Sequence, residues 1–166
     1  MKFFKLIFLF FSSTFIYKSA VSQNALINIL TKDIGIVHKG GTVFLEVTIN
    51  NTDPTAYIDV YKLRAKISVP TGLASIAITG HELPTGWTIL SNDGSTIMLS
   101  NGKNMIAAND VRILLIAIKG NNIGGPSTVA GQLSFSDGIA PGDATGTLQN
   151  DNPADNFSTS TIQVIK

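Results

Sequence analysis

Apolar and polar residues alternate with a period of two along much of the chain. The clearest case is 42–50, where Val43, Leu45, Val47 and Ile49 alternate with mostly polar positions. Successive side chains of a β-strand point to opposite faces, so this pattern predicts a strand with one buried face. Gly40 and Gly41 precede the segment and Pro54 follows it, and these residues favour turns.

The same pattern recurs at intervals that suit a chain of short strands. Segment 61–69 places Leu63, Ala65, Ile67 and Val69 on one face. An Asp-Gly pair at 93–94 lies between two apolar runs, which is typical of a β-hairpin. The further predicted strands are 26–30, 73–78, 87–90, 96–99, 111–119, 127–135 and 158–165.

Segment 111–119 is the most apolar part of the chain after the N-terminal region. Its sequence VRILLIAIK has few polar positions, so we expect a central strand buried on both faces. No segment beyond the N-terminal region repeats apolar residues at helical spacing. About eight or nine short strands therefore predict an all-β antiparallel sandwich, with a closed barrel as the alternative.

The first 22 residues have the composition of an export signal. Lys2 and Lys5 precede an apolar run from Leu6 to Ile16, and small residues follow before Gln23. A membrane-spanning helix needs roughly 20 apolar residues, so a cleaved signal peptide is favoured over a retained anchor helix. We predict cleavage after Ser22, a signal peptide at 1–22 and one domain at 23–166, secreted or held at the cell surface.

The charge balance of residues 23–166 argues against nucleic acid as a partner. Three of the 12 Lys and Arg residues lie in 1–22, which leaves nine against 11 Asp and Glu. A slightly acidic chain lacks the basic character that nucleic-acid binding requires. The sequence has no cysteine, which excludes disulfides, thiol catalysis and cysteine metal sites.

Four stretches carry a resemblance to a known family. They are 47–52, 69–73, 111–119 and the final loop and strand at 151–164, which begins DNPADN. In these the chain resembles the conserved-repeat domain of bacterial surface proteins, the eleventh numbered domain of unknown function. The resemblance implies an Ig-like β-sandwich and a structural or adhesive surface role. That family usually forms tandem copies, whereas this chain holds one.

The residues that catalysis would need are sparse, so we predict that the protein is not an enzyme. The two histidines, His38 and His81, belong to no metal-binding spacing, and no G-x-S-x-G sequence marks a nucleophilic serine. His81 and Glu82 could serve as an acid–base pair only if the fold left both side chains free.

Two candidate ligand sites remain. Asp151 and Asp155, with neighbouring asparagines, offer hard oxygen ligands for Ca²⁺, although Asp and Asn also form ordinary capped loops. Trp87, Tyr57 and Tyr61 could stack on a sugar ring, although a lone tryptophan at a strand start also suits a core.

A third feature is the alternation of Lys62, Arg64 and Lys66 on one face of segment 61–69. Such a face suits a polyanion or an acidic glycan, and it also suits an ordinary solvated face or a protected edge strand.

These observations favour a secreted, non-enzymatic structural or adhesive module that contacts other surface proteins or like modules. Edge-strand pairing is one way to make such a contact. The alternatives are a small carbohydrate-binding module and a calcium-stabilised spacer. The mature chain is not expected to insert into a membrane.

Overall fold

The computed structural model describes residues 23–136, 146, 148 and 151–166. The predicted signal peptide lies outside the described residues. Within them no helix is long and apolar enough to cross a membrane. The strands are β1 (Ala25–Thr31), β2 (Ile36–His38), β3 (Thr42–Asn51), β4 (Leu63–Ser68), β5 (Ala74–Ile76), β6 (Thr88–Asn92), β7 (Thr96–Ser100), β8 (Val111–Gly120), β9 (Gly124–Phe135) and β10 (Phe157–Ile165).

The strands form two sheets. One has four strands in the order β1-β3-β8-β5, and the other has six in the order β2-β10-β9-β4-β7-β6. Strands β1, β3, β8 and β5 correspond to A, B, E and D of an immunoglobulin domain, and β10, β9 and β4 correspond to G, F and C. The hairpin β6–β7 extends the second sheet beyond β4. The prediction of an Ig-like β-sandwich is confirmed.

The core lies between the inward faces of the two sheets. Val43, Leu45, Val47 and Ile49 of β3 are all buried, as their alternation predicts. The inward residues of β4 meet them from the other sheet and are equally buried. Burying these side chains stabilises the fold by roughly 1.5–3 kcal/mol each.

Strand β8 corrects one prediction from the sequence. It is an inner strand, between β3 and β5, but only one of its faces is fully buried. Val111 is 45% exposed and Ile113 is 52% exposed. The reason is architectural, because no described element covers the outer face of the four-stranded sheet along these residues.

The edge of β1 is closed by side chains from the other sheet. The Ser158 hydroxyl accepts a hydrogen bond from the Ile29 N–H at 3.1 Å, and the Ser160 hydroxyl accepts one from the Thr31 N–H at 3.1 Å. Edge strands are protected when their free backbone groups find partners. Pairing of a partner strand along β1 is therefore disfavoured.

Candidate functional site

The outer face of the four-stranded sheet carries several exposed or partly exposed apolar side chains. Leu30 is 59% exposed, and it joins the exposed Val111 and Ile113 on this face. Alternation explains the placement, because the intervening residues of β1 and β8 point into the core. We call this surface the apolar face, and it comprises Leu26, Leu30, Phe44, Val111, Ile113 and Leu115.

The strand register brings these residues together. Leu30 lies beside Glu46, which lies beside Leu115, while Ile113 lies beside Thr48 in the adjacent row. Glu46 forms an ion pair with Lys32, with Nζ and Oε2 3.2 Å apart. The apolar face therefore consists of apolar side chains on β1 and β8 that flank polar positions of β3, namely Asn50, Thr48 and Glu46, and Glu46 holds one ion pair there.

The predicted cationic face of β4 is not present as such. Arg64 is only 1% exposed, and its Nη1 donates to the Tyr61 carbonyl at 2.6 Å and to the Ser100 hydroxyl at 2.8 Å. Strand β4 also lies inside its sheet, between β9 and β7. The interpretation of Lys62, Arg64 and Lys66 as a polyanion groove or an edge strand is therefore wrong.

The predicted sugar-stacking residues lie in different environments. Trp87 is 6% exposed and packs in the hydrophobic core, so its indole faces are covered by protein. Tyr57 is 50% exposed, and Tyr61 is half-buried in a backbone conformation with φ of 59°. A stacking platform built on Trp87 is therefore not presented to solvent, which is a correction to that part of the glycan prediction.

The predicted calcium loop is held by its own hydrogen bonds. The Asp151 carboxylate accepts from the Ala25 N–H at 3.3 Å and from the Asn156 side chain. Asp155 Oδ2 accepts from Asn24 Nδ2 and Asn152 Nδ2, each at 3.3 Å. The loop thus joins the start of β1 to the start of β10.

Two oxygens of this loop are left without partners. Asp155 Oδ1 and Asn156 Oδ1 are buried atoms with no hydrogen bond. Buried unpartnered acceptors cost free energy, and a bound cation would satisfy them. Among the described residues, however, no three Asp, Glu, His or Cys side chains gather in a way that could hold a metal ion.

His81 serves the fold rather than an acid–base pair with Glu82. Its Nδ1 accepts a hydrogen bond from the Ala117 N–H at 3.1 Å, which requires the neutral ring. Burial lowers the pKa of His81 below its ordinary value, and the Ala77 carbonyl opposes that shift. Glu82 is fixed by its backbone, which exchanges hydrogen bonds with Leu115 at 2.9 Å.

A basic depression at one end of the sandwich was missed by the sequence reasoning. Lys39, Lys119 and Lys166 line it together with Gly40, Gly120, Asn121 and Ile123. The three lysines are far apart in the chain, and only strand pairing brings them together. The one signal in the sequence is that each lysine directly follows or ends an apolar strand segment.

Comparison with known proteins shows the fold. No family model matches the chain, and no curated protein matches it, so the resemblance to the conserved-repeat family is supported only as far as the Ig-like fold.

Solved structures do match across most of the chain. A cohesin module of a family 33 glycoside hydrolase from Clostridium perfringens has a TM-score of 0.54 at 10% identity, over 87% of this chain and 97% of that one. A non-cellulosomal cohesin from the archaeon Archaeoglobus fulgidus has a TM-score of 0.51 at 12% identity, over 86% and 92%.

The full-length major pilin SpaD from Corynebacterium diphtheriae also matches, with a TM-score of 0.52 at 10% identity. The match covers 84% of this chain and 34% of that longer protein. At such low identities the likeness concerns the fold alone. The chain therefore has an Ig-like β-sandwich fold similar to that of cohesin modules and of part of a major pilin.

Proposed function

We propose that this protein is a non-enzymatic structural or adhesive module that makes protein–protein contacts at a bacterial surface. The observation that carries the proposal is the apolar face. Exposed apolar patches of several hundred Å² mark interaction sites on soluble proteins. The fold is compatible with this role, since the similar solved structures include cohesin modules and a major pilin.

The size of the apolar face sets the strength of the contact. Three strands about 4.8 Å apart and about 27 Å long present roughly 400 Å² in total, an area that includes the polar side chains of β3. Stable complexes bury about 800 Å² on each partner, so a contact of this size is weak. Weak contacts become effective when many copies are displayed together, as on a cell surface.

A second copy of the chain is the partner that suits this face. Two flat sheets pack face to face about 10 Å apart, which buries the exposed side chains of both copies. The Lys32–Glu46 pair can be self-complementary, because a two-fold axis that lies between the two faces and crosses the pair at its midpoint, at right angles to it, sets each charge of one copy against the opposite charge of the other.

Replacing Ile113 with aspartate is expected to abolish self-association. The wild-type protein should dimerise with Kd on the order of 100 μM, whereas a carboxylate at position 113 would be buried in the contact without a partner. Sedimentation velocity at protein concentrations up to the millimolar range measures the dimerisation Kd of the wild type and of the variant.

A matched control is Ile123→Asp. Ile123 is 54% exposed, close to the 52% of Ile113, but it lies in the turn between β8 and β9, away from the apolar face. The control should dimerise like the wild type. A wild-type protein that stays monomeric throughout, or an unchanged Kd in Ile113→Asp, would refute self-association through this face.

The loop of Asp151 and Asp155 is a second candidate site, for a structural Ca²⁺. The two unpartnered oxygens of Asp155 and Asn156 favour it, because Ca²⁺ binds carboxylate and amide oxygens. Such an ion would fasten the start of β10 to the start of β1 and make the sandwich a stiffer spacer.

Calcium is expected to raise the melting temperature by several degrees relative to chelator, because a ligand of the native state stabilises it. Asp155→Asn should remove most of this difference, whereas Asp33→Asn, at an exposed carboxylate elsewhere, should retain it. Equal melting temperatures with calcium and with chelator would exclude the site.

A further inference from the structure

We propose that the basic depression of Lys39, Lys119 and Lys166 binds the anionic groups of an acidic glycan. It is an open depression at the end of the sandwich where β2, β8 and β10 finish. The ligand chemistry is a carboxylate or a phosphate carried on a sugar polymer. This goes beyond the protein–protein contact proposed above and uses a different surface.

Backbone pairing holds Lys39 beside the ends of β10 and β8, and Lys166 directly follows β10. Strand β2 runs parallel to β10, with His38 beside Ile165, and the Lys39 N–H donates to the Ile165 carbonyl at 2.8 Å. Lys39 also bridges to Gly120, which directly follows Lys119. The depression is therefore a fixed part of the fold, and its lysines are not a chance grouping on mobile loops.

The three lysines of the depression differ from the ion-paired cations of the chain. Two other cations of the chain have partners, in the Lys32–Glu46 pair at 3.2 Å and the Arg112–Asp110 pair at 2.6 Å. Among the described residues, none of the three lysines of the depression forms an ion pair. Three ammonium groups around one depression create a local positive potential, which favours a bound anion.

The rest of the lining suits a sugar. Asn121 Oδ1 accepts from the Ser75 hydroxyl at 3.3 Å, which leaves its Nδ2 free to donate to a sugar hydroxyl. Ile123, which is 54% exposed, offers an apolar surface to the C–H face of a pyranose ring. Ion pairing, amide donation and apolar contact together match a charged sugar better than a bare phosphate ion.

The overall charge argues against a nucleic acid in the same place. Residues 23–166 carry nine Lys and Arg against 11 Asp and Glu, so a long polyanion would meet repulsion beyond the depression. A glycan with widely spaced charges can place a few anionic groups at the three lysines and neutral units elsewhere.

The test is binding of the purified protein to polygalacturonate, which carries carboxylates, and to poly(glycerol phosphate), which carries phosphates. Dextran serves as the neutral polymer and a DNA duplex as the competing polyanion. We expect binding to at least one acidic polymer, no binding to dextran, and a Kd raised at least about tenfold in Lys39→Glu/Lys119→Glu. Binding should weaken with added salt, since screening shortens the reach of the charges.

The control variant is Lys66→Glu/Lys103→Glu, which changes the net charge equally at two exposed lysines outside the depression. It should bind like the wild type, and circular dichroism should show that both double variants are folded. The two acidic polymers distinguish carboxylate from phosphate as the recognised group. Equal losses in both variants, tighter binding to DNA than to either polymer, or no binding to either polymer would overturn the proposal.

Discussion

Replacing Asn101 with leucine is expected to lower the free energy of unfolding by about 3 to 5 kcal/mol, because it leaves three backbone groups without partners. Asn101 is 0% exposed. Its Nδ2 donates to the Asp59 and Asn104 carbonyls, each at 2.7 Å, and its Oδ1 accepts from the Leu63 N–H at 3.0 Å. One side chain thus joins the loop before β4 to the loop after β7.

Urea denaturation measures this effect, with Trp87 fluorescence as the readout since the indole lies in the core. The control is Asn122→Leu, at an exposed asparagine whose side chain reaches only the Gly72 carbonyl. That change should cost about 0.5 kcal/mol, as exposed substitutions usually do. A similar loss in the two variants would show that Asn101 does not organise these loops.

The role of Asn101 could not be deduced from the sequence. Asn101 precedes Gly102, and an Asn-Gly pair after a strand indicates only a turn. What makes Asn101 important is burial beside two other chain segments, at separations of up to 42 residues. By contrast, Asp93 acts as the local sequence suggests, because its carboxylate accepts from the Ser95 and Thr96 N–H groups within the predicted hairpin turn.

The alternation of apolar and polar residues predicted most of the fold, because in each strand it indicates which side chains face the core. The four inward residues of β3 were identified in this way and are buried. Strand β2 was missed because its three residues are too few to show a period. Its parallel pairing with β10 could not be predicted for the same reason.

The two candidate surfaces depend on exposure and on contacts between distant segments, which the sequence pattern does not show. Val111 and Ile113 are as apolar as core residues, and alternation does not reveal whether another layer covers their face. Lys39 and Lys119 are 80 positions apart in the numbering and meet only through the bridge beside Gly120. The apolar face and the basic depression thus form only when the sheets assemble. They are candidate binding surfaces because their side chains are exposed.

Replacing Gly131 with leucine is expected to destabilise the protein by about 3 kcal/mol through overpacking. Gly131 lies on the inward face of β9, where an added Cβ would stand 2.8 Å from Ile29 Cγ2 and 3.1 Å from Ile27 Cδ1. Isoleucine has little rotamer freedom to withdraw, so the two sheets must separate. The control Ala130→Leu, on the neighbouring outward-facing and partly exposed position, should change stability by about 0.5 kcal/mol.

A second substitution tests whether the cause is the contact between the sheets. Ile29→Ala alone should cost about 2 to 5 kcal/mol because it leaves a cavity. In the double variant the leucine at 131 occupies that cavity, so the combined loss should be at least about 1 kcal/mol smaller than the sum of the single losses. If the losses of unfolding free energy were additive, the strain caused by Gly131→Leu would not arise from contact with Ile29. Coupling would establish that Gly131 sets how closely β1 approaches β9, and so fixes the position of the strand that carries Leu30 on the apolar face.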